Sequence, residues 1–120
     1  IYAQNTTVQS ASDVRLKENI RDADEGLSVI NGLRPVRFDW KEGYGNGGKN
    51  QLGFIAQEVE AVFPDAVGEV SKLIEGDDET YKTIGPAALI PVLVKAIQEL
   101  SAKNDALANE IETLKAKVNA

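Results

Sequence analysis

Apolar residues recur along the last quarter of the chain with a period that holds for four repeats. Ile90, Leu93, Ile97, Leu100, Asn104, Leu107, Ile111, Leu114 and Val118 are separated by alternating steps of three and four. This is a heptad, with β-branched residues at most a positions, Leu at every d position and one Asn at an a position. Pro86 suits the first turn of a helix, and Pro91 is tolerable if it lies in the first turn or two. No Gly or Pro follows before Ala120. The pattern predicts a helix over about 86–118. Its apolar stripe is too narrow for burial by one small domain, so residues 100–118 are expected to self-associate. Before about Leu100 the helix can also pack on its own domain.

The number of strands is less sharply specified. β-Branched a and Leu d residues favour two helices in parallel, and Asn104 is a register device. Ala96, Ser101 and Ala108, at e and g positions, are small enough to admit more helices. Glu110 at g and Lys115 at the next e can pair between parallel chains, worth about 0.2–1 kcal/mol on an exposed surface.

Upstream, the period shortens and changes. "VRLKENI" (14–20) predicts a short strand. "DADEGLSVINGL" (22–33) predicts a short helix with acids in its first turn, Leu27 and Ile30 on one face, and Gly32 as a stop. "PVRFDWK" (35–41) alternates Val36, Phe38 and Trp40 with Arg37, Asp39 and Lys41, a half-buried strand. "EGYGNGGKN" (42–50) is a loop. "QLGFIAQEVEAVFP" (51–64) runs from a strand into a brief helix carrying Ile55, Val59, Val62 and Phe63, ended by Pro64. "AVGEV" and "KLIEGDDETYKTI" predict a hairpin with Gly76, Asp77 and Asp78 at its tip. The fold class is therefore α+β: a small mixed β/α domain followed by a long C-terminal helix. Residues 1–11 read as a polar leader ahead of a domain over 12–120. The chain starts at Ile1 without Met, so it is expected to be a piece of a longer protein. The Asn5-Thr6-Thr7 sequon is read as a chance occurrence.

Composition narrows the chemistry. A net charge of −6 argues against nucleic acid or anionic lipid as a partner. No apolar run approaches the roughly 20 residues of a membrane span. The chain has no Cys and no His, which excludes disulfides, thiol nucleophiles, His-based triads and the usual zinc sites. Hydrolytic chemistry here must use carboxylates, lysine or a bound metal. Neither a metal site nor a cofactor is implied.

Three motifs remain. Gly43, Gly48 and Lys49 have the spacing of a phosphate-binding loop, but the Ser or Thr that should follow is absent and the next residues read as a strand. A hairpin connection is the better reading; a nucleotide-responsive loop is the competing one. Glu75, Asp77, Asp78 and Glu79 do not match a calcium loop and read as a solvated tip. Ser12 and Lys17 are the residue types of a Ser–Lys dyad, in which a neutral lysine takes the hydroxyl proton. Burial or a nearby cation, for which Arg15 is a candidate, must favour that neutral form. Regular structure works against the pair. Five residues of strand span about 16 Å with the side chains on opposite faces, and in a helix they lie about 140° apart. The chain must turn between them, or another subunit must supply the lysine.

"SDVRLKENI", "GLRPVRFDWK", "LGFIAQEVEAVFPDAV" and "YKTIGPAALIPVLVKAIQEL", in that order, resemble the intramolecular chaperone autoprocessing (peptidase S74) domain. That family occurs at the C-termini of bacteriophage tailspikes, tail fibres and neck appendages, and in the myelin regulatory factor. The resemblance implies a parallel trimeric coiled coil, in place of the dimer that the a and d residues lean towards. It implies a homotrimer that helps an upstream fibre or β-helix segment of the same polypeptide to fold in the host cytoplasm, then releases itself. Ser12 and Lys17 match the family's nucleophile and partner, and the cut would fall between Ala11 and Ser12. Asn19 and Gln57 are candidates for stabilising or orienting the oxyanion. A non-cleaving trimerisation module of the same fold is the alternative. Neither nucleic acid nor membrane is an implied partner.

Overall fold

A computed structural model describes residues 10–119. The sequon and most of the expected leader lie outside the described residues. The element order is a 3-10 turn at Val14–Leu16, then α1 (Leu27–Gly32), β1 (Val36–Phe38), β2 (Gln51–Gly53) and α2 (Ala56–Val62). A second 3-10 turn at Pro64–Ala66, β3 (Val67–Ser71), β4 (Thr80–Ile84), a third 3-10 turn at Pro86–Ala88 and α3 (Leu89–Val118) follow. The fold is mixed helix and strand with a long C-terminal helix.

The strands form two separate antiparallel hairpins, β1–β2 and β3–β4. In the first, Trp40 N–H donates to Gly48 O at 3.0 Å and closes the ladder beyond β1. Gly43, Gly45 and Gly47 all have positive φ, which returns the chain tightly. A Cβ at Gly45 would stand 2.3 Å from the Trp40 indole, so only glycine lets the loop fold over that ring. Lys49 Nζ lies 3.4 Å from Trp40 O and the chain continues into β2. The Gly-rich segment is thus a hairpin connection that opens no helix.

Two expectations need correction. "VRLKENI" is not a strand: Val14–Leu16 is a 3-10 turn, because Asp13 supplies a local hydrogen-bond partner where no neighbouring strand offers one. The acids at Asp22, Asp24 and Glu25 precede α1 and do not occupy its first turn. That helix starts later, at Leu27. It ends at Gly32, and Leu33, two residues before Pro35, is already extended at φ −87° and ψ 152°.

The core is small. Val29, Val59, Phe63, Ala66, Leu89 and Val92 pack together, with Val59 only 1% exposed. Ile30, Leu33, Phe54, Val62, Val67, Ile84 and Ala88 border them. A Cβ at Gly32 would lie 3.0 Å from Val62 Cγ1, so α1 and α2 approach closely there. α2 is also tied to the sheet by charge. Lys82 Nζ on β4 reaches Glu60 at 3.0 Å and Glu69 at 3.2 Å. Arg34 forks onto Glu58 at 3.0 and 2.7 Å.

α3 is 30 residues long, about 45 Å. Leu89, Val92 and Ala96 are its buried residues. The heptad residues occupy another face, one residue or about 100° around the helix, and stay exposed: Ile90 59%, Ile97 65%, Leu107 58%. Every residue from 100 to 119 is exposed. The heptad face therefore does not pack on its own domain even before Leu100. The radius of gyration is 21.0 Å, against about 13 Å for a compact domain of this size. Lys115 Nζ lies 3.7 Å from Glu112 of the same chain. No helix of the described residues is long and apolar enough to cross a membrane.

Candidate functional site

The segment from residue 10 to residue 25 is exposed throughout, and its shape comes from its own side chains. Asp13 has extended φ and ψ and caps the following turn: its Oδ1 accepts from Arg15 N at 2.8 Å. The Arg15 guanidinium then forks onto the same carboxylate, at 3.1 Å through Nε and 2.8 Å through Nη2. Leu16 N donates to Asp13 O and Lys17 N to Val14 O, at 3.0 and 3.2 Å. The charged fork holds the Asp13 carboxyl below its ordinary value and raises Arg15. Arg15 is thus spent on Asp13 and is no longer a free cation for the neighbouring lysine.

This turn resolves the spacing problem posed by Ser12 and Lys17. A single 3-10 turn between them reverses the chain, and Lys17 Nζ comes to 2.6 Å from Ser12 Oγ. Both residues belong to one chain and both are exposed. In the geometry shown, the ammonium donates to the hydroxyl oxygen. With a neutral amine the same two atoms can share a hydrogen bond in the opposite sense, hydroxyl to nitrogen. That is the arrangement in which an amine can accept a proton from a nucleophile.

Asp13→Ala is expected to relax the turn without touching the core, because among the described residues Asp13 makes no hydrogen bond beyond Arg15 and Leu16. Chemistry that depends on the Ser12–Lys17 contact should slow by roughly 10- to 100-fold, with an unchanged thermal midpoint. A time course of N-terminal mass in the variant checks this.

The other candidates lie elsewhere. Asn19 has φ +55° and is a left-handed turn residue, which Asn tolerates better than most. Its backbone O accepts from Arg21 Nη1 at 2.9 Å. Among the described residues its side chain makes no hydrogen bond to Ser12 or Lys17. Gln57, in the first turn of α2, lines an open groove of about 870 Å³ with Phe38, Trp40, Tyr44, Phe54 and Tyr81. Ser12 and Lys17 do not line that groove. Ala11 is exposed beside Ser12, and the nine heptad residues lie along the open face of α3.

The acidic tip is organised locally. Asp77 Oδ1 accepts from Glu79 N at 2.8 Å, and Asp77 N donates to Ile74 O at 3.0 Å. The Tyr81 hydroxyl donates to Asp77 Oδ2. That hydrogen bond is the main cause that raises Tyr81 from 10.0 to about 12, and it lowers Asp77 below 3.8. A raised tyrosine favours its protonated form in the fold, so its contribution to stability is complete below pH 10 and is lost as pH rises through about 12. A lowered aspartate contributes above its unfolded value, and that contribution is lost as pH falls through its folded one. Phenolate absorbance should therefore show one of the three tyrosines titrating near 12. Asp77→Asn should return it towards 10; a late phenol that persists in this variant contradicts the pairing.

The sequence names Ser12 and Lys17 as candidates but does not single out Asp13 and Arg15 as the parts that bend the chain. An Asp followed two residues later by a donor is a turn signature that was available in "SDVRLK".

Residues 12–68 match the family model for peptidase S74, described as chaperone of endosialidase. The chain is 31% identical over 104 residues to the long tail fiber protein Gp37 of Enterobacteria phage K3, covering 86% of this chain and 8% of that protein. It is 34% identical over 93 residues to the Gp37 protein of Enterobacteria phage M1, covering 75% of this chain and 36% of that protein. It is 32% identical over 116 residues to myelin regulatory factor homolog 1 of Caenorhabditis elegans, covering 90% of this chain and 12% of that protein. The chain thus spans between about a twelfth and about a third of these relatives' length.

Proposed function

Because residues 12–68 belong to the peptidase S74, chaperone-of-endosialidase family, we propose that this chain is an assembly chaperone for an upstream tail fibre or spike segment of its own polypeptide, which trimerises through α3 and releases itself by cutting between Ala11 and Ser12. The observation that carries the reading is the 2.6 Å contact between Lys17 Nζ and Ser12 Oγ. In the cut, Ser12 Oγ adds to the Ala11 carbonyl carbon and Lys17 takes the hydroxyl proton. The bond from that carbon to Ser12 N breaks, and the departing amine receives the proton back. The product is an ester linking Ala11 to Ser12 Oγ. Water then cleaves the ester, leaving a carboxylate on Ala11 and a free amine on Ser12. Proximity supplies much of the rate, since nucleophile and target are adjacent in one chain.

Trimerisation gates this step. The arm is exposed in one protomer, and neighbouring chains would bury it, exclude water and favour the neutral lysine. Assembly and cleavage would take place in the host cytoplasm, and the chaperone would leave the finished fibre.

A non-cleaving trimerisation module of the same fold is the second reading. One observation favours it: among the described residues, no hydrogen-bond donor reaches the Ala11 carbonyl oxygen, where the oxyanion would form, so its stabiliser must come from elsewhere. Intact mass of the purified chain beside Ser12→Ala separates the two. A species beginning at Ser12, absent from the variant, supports self-cleavage; an uncut trimer supports the second reading.

A further inference from the structure

Among the described residues, every hydrogen bond made by residues 12–25 of the arm that bears Ser12 and Lys17 stays within that segment. The first hydrogen bond to the body is at the base of the arm, from Leu27 to α3. Gly26 is the residue before α1 and has no side chain with which to cap it. The cap comes instead from 72 residues away: Glu99 Oε1 accepts from Leu27 N at 2.7 Å. A carboxylate on a backbone N–H is a charge-assisted bond, stronger than its neutral counterpart. Gly26 is buried under the same helix. A Cβ there would stand 2.1 Å from Glu99 Oε1 and 2.7 Å from Lys95 Cγ. The close approach thus needs both the acid on α3 and the glycine at the arm's base.

Glu99 is in the same turn of α3 as Ile97 and Leu100, which belong to the exposed heptad face. Successive residues are rotated by about 100°, so this turn presents the heptad to a neighbouring chain on one side and grips the arm on another. Any assembly that fixes the rotation of α3 about its axis also fixes the base of the arm.

We infer that Glu99 and Gly26 form a latch through which the seating of α3 in an assembly sets the position of the Ser12–Lys17 arm. Glu99 is a positioning residue; it touches no reacting atom. The inference deepens the proposed self-cleavage and rests on it.

The test uses the full chain and follows three readouts together: the rate at which the Ser12 N-terminus appears, the oligomeric state by sedimentation, and the thermal midpoint. Glu99→Ala and Gly26→Ala perturb the latch from its two sides. Each should slow cleavage by roughly 10- to 100-fold while the oligomer is unchanged and the protein stays folded at the assay temperature; losing the cap of α1 lowers the midpoint by several degrees. Glu99→Gln keeps an acceptor oxygen and should remain within about 3-fold of wild type, being a neutral acceptor of about half the strength. If both alanine variants cut at the wild-type rate, the latch is refuted and self-cleavage stands. If a slowed variant also loses its oligomer, or is unfolded at the assay temperature, Glu99 is a structural residue and the latch is refuted. If wild type is never cut, the self-cleavage reading and the latch fall together.

Discussion

Lys17→Ala is expected to leave the chain uncut, or cut 10²–10⁴-fold more slowly, on the scale of what a positioned general base contributes. Its Nζ is the group placed at 2.6 Å from Ser12 Oγ, and the chain has no histidine to take over the proton. Lys17→Arg should fail as well, since a guanidinium keeps its charge and cannot accept the proton. Ser12→Ala removes the nucleophile and should abolish the cut. None of the three should unfold the protein, because the arm is exposed and contributes nothing to the core around Val59 and Phe63. Intact mass reports cleavage and the thermal midpoint reports folding. If Lys17→Ala is processed at the wild-type rate, the lysine is not the base.

Deletion of residues 101–120 should abolish trimerisation while the hairpins and short helices remain folded. Residues 101–119 are all exposed in the protomer, so their removal costs the domain no buried core residue. What is lost is the seam: Leu107, Ile111, Leu114 and Val118 are all more than half exposed. Full burial from complete exposure contributes about 1.5–3 kcal/mol per side chain. Starting from little more than half exposure for all but Val118, the four together come to roughly 3–6 kcal/mol per chain, or about two to four decades in association constant at 1.4 kcal/mol per decade. An isolated helix that is not packed on anything is marginal in water, which gives the chain a further reason to assemble. Sedimentation across a concentration series checks the result, and a truncated chain that remains trimeric at micromolar concentration would remove α3 from the assembly role. On the gating proposed above, the truncated chain should also lose self-cleavage.

Both predictions draw on features of unequal legibility. The heptad from Ile90 to Val118 could be read directly, because a periodic signal accumulates over many residues and does not depend on any one of them. The hairpins were legible for a related reason. Alternation in "PVRFDW" and glycines at the turns are local requirements of backbone geometry, and the structure keeps them around Val36, Phe38 and the positive-φ glycines of the loop. Asn19 and Gln57 could not be placed by such reasoning. Their amides suit an oxyanion, but only tertiary placement decides what they face: Asn19 serves a left-handed turn and Gln57 lines a separate groove.

The sequence by itself determined the α+β composition, the long helix with its unbroken seam, and the ordered motifs that mark the family. Each is set by periodicity or by residue type at a fixed spacing. The tertiary structure decided three further things. Lys17 returns to Ser12 because one carboxylate, Asp13, bonds both the backbone and the guanidinium of Arg15, and a single turn of this kind leaves no periodic trace. α3 docks through Leu89, Val92 and Ala96 and leaves its seam open, because the direction of the core, not the pattern on the helix, selects which face is covered. Leu27 and Glu99 meet across 72 residues, a contact whose partners are unrelated in spacing and are joined only when the arm and the helix pack.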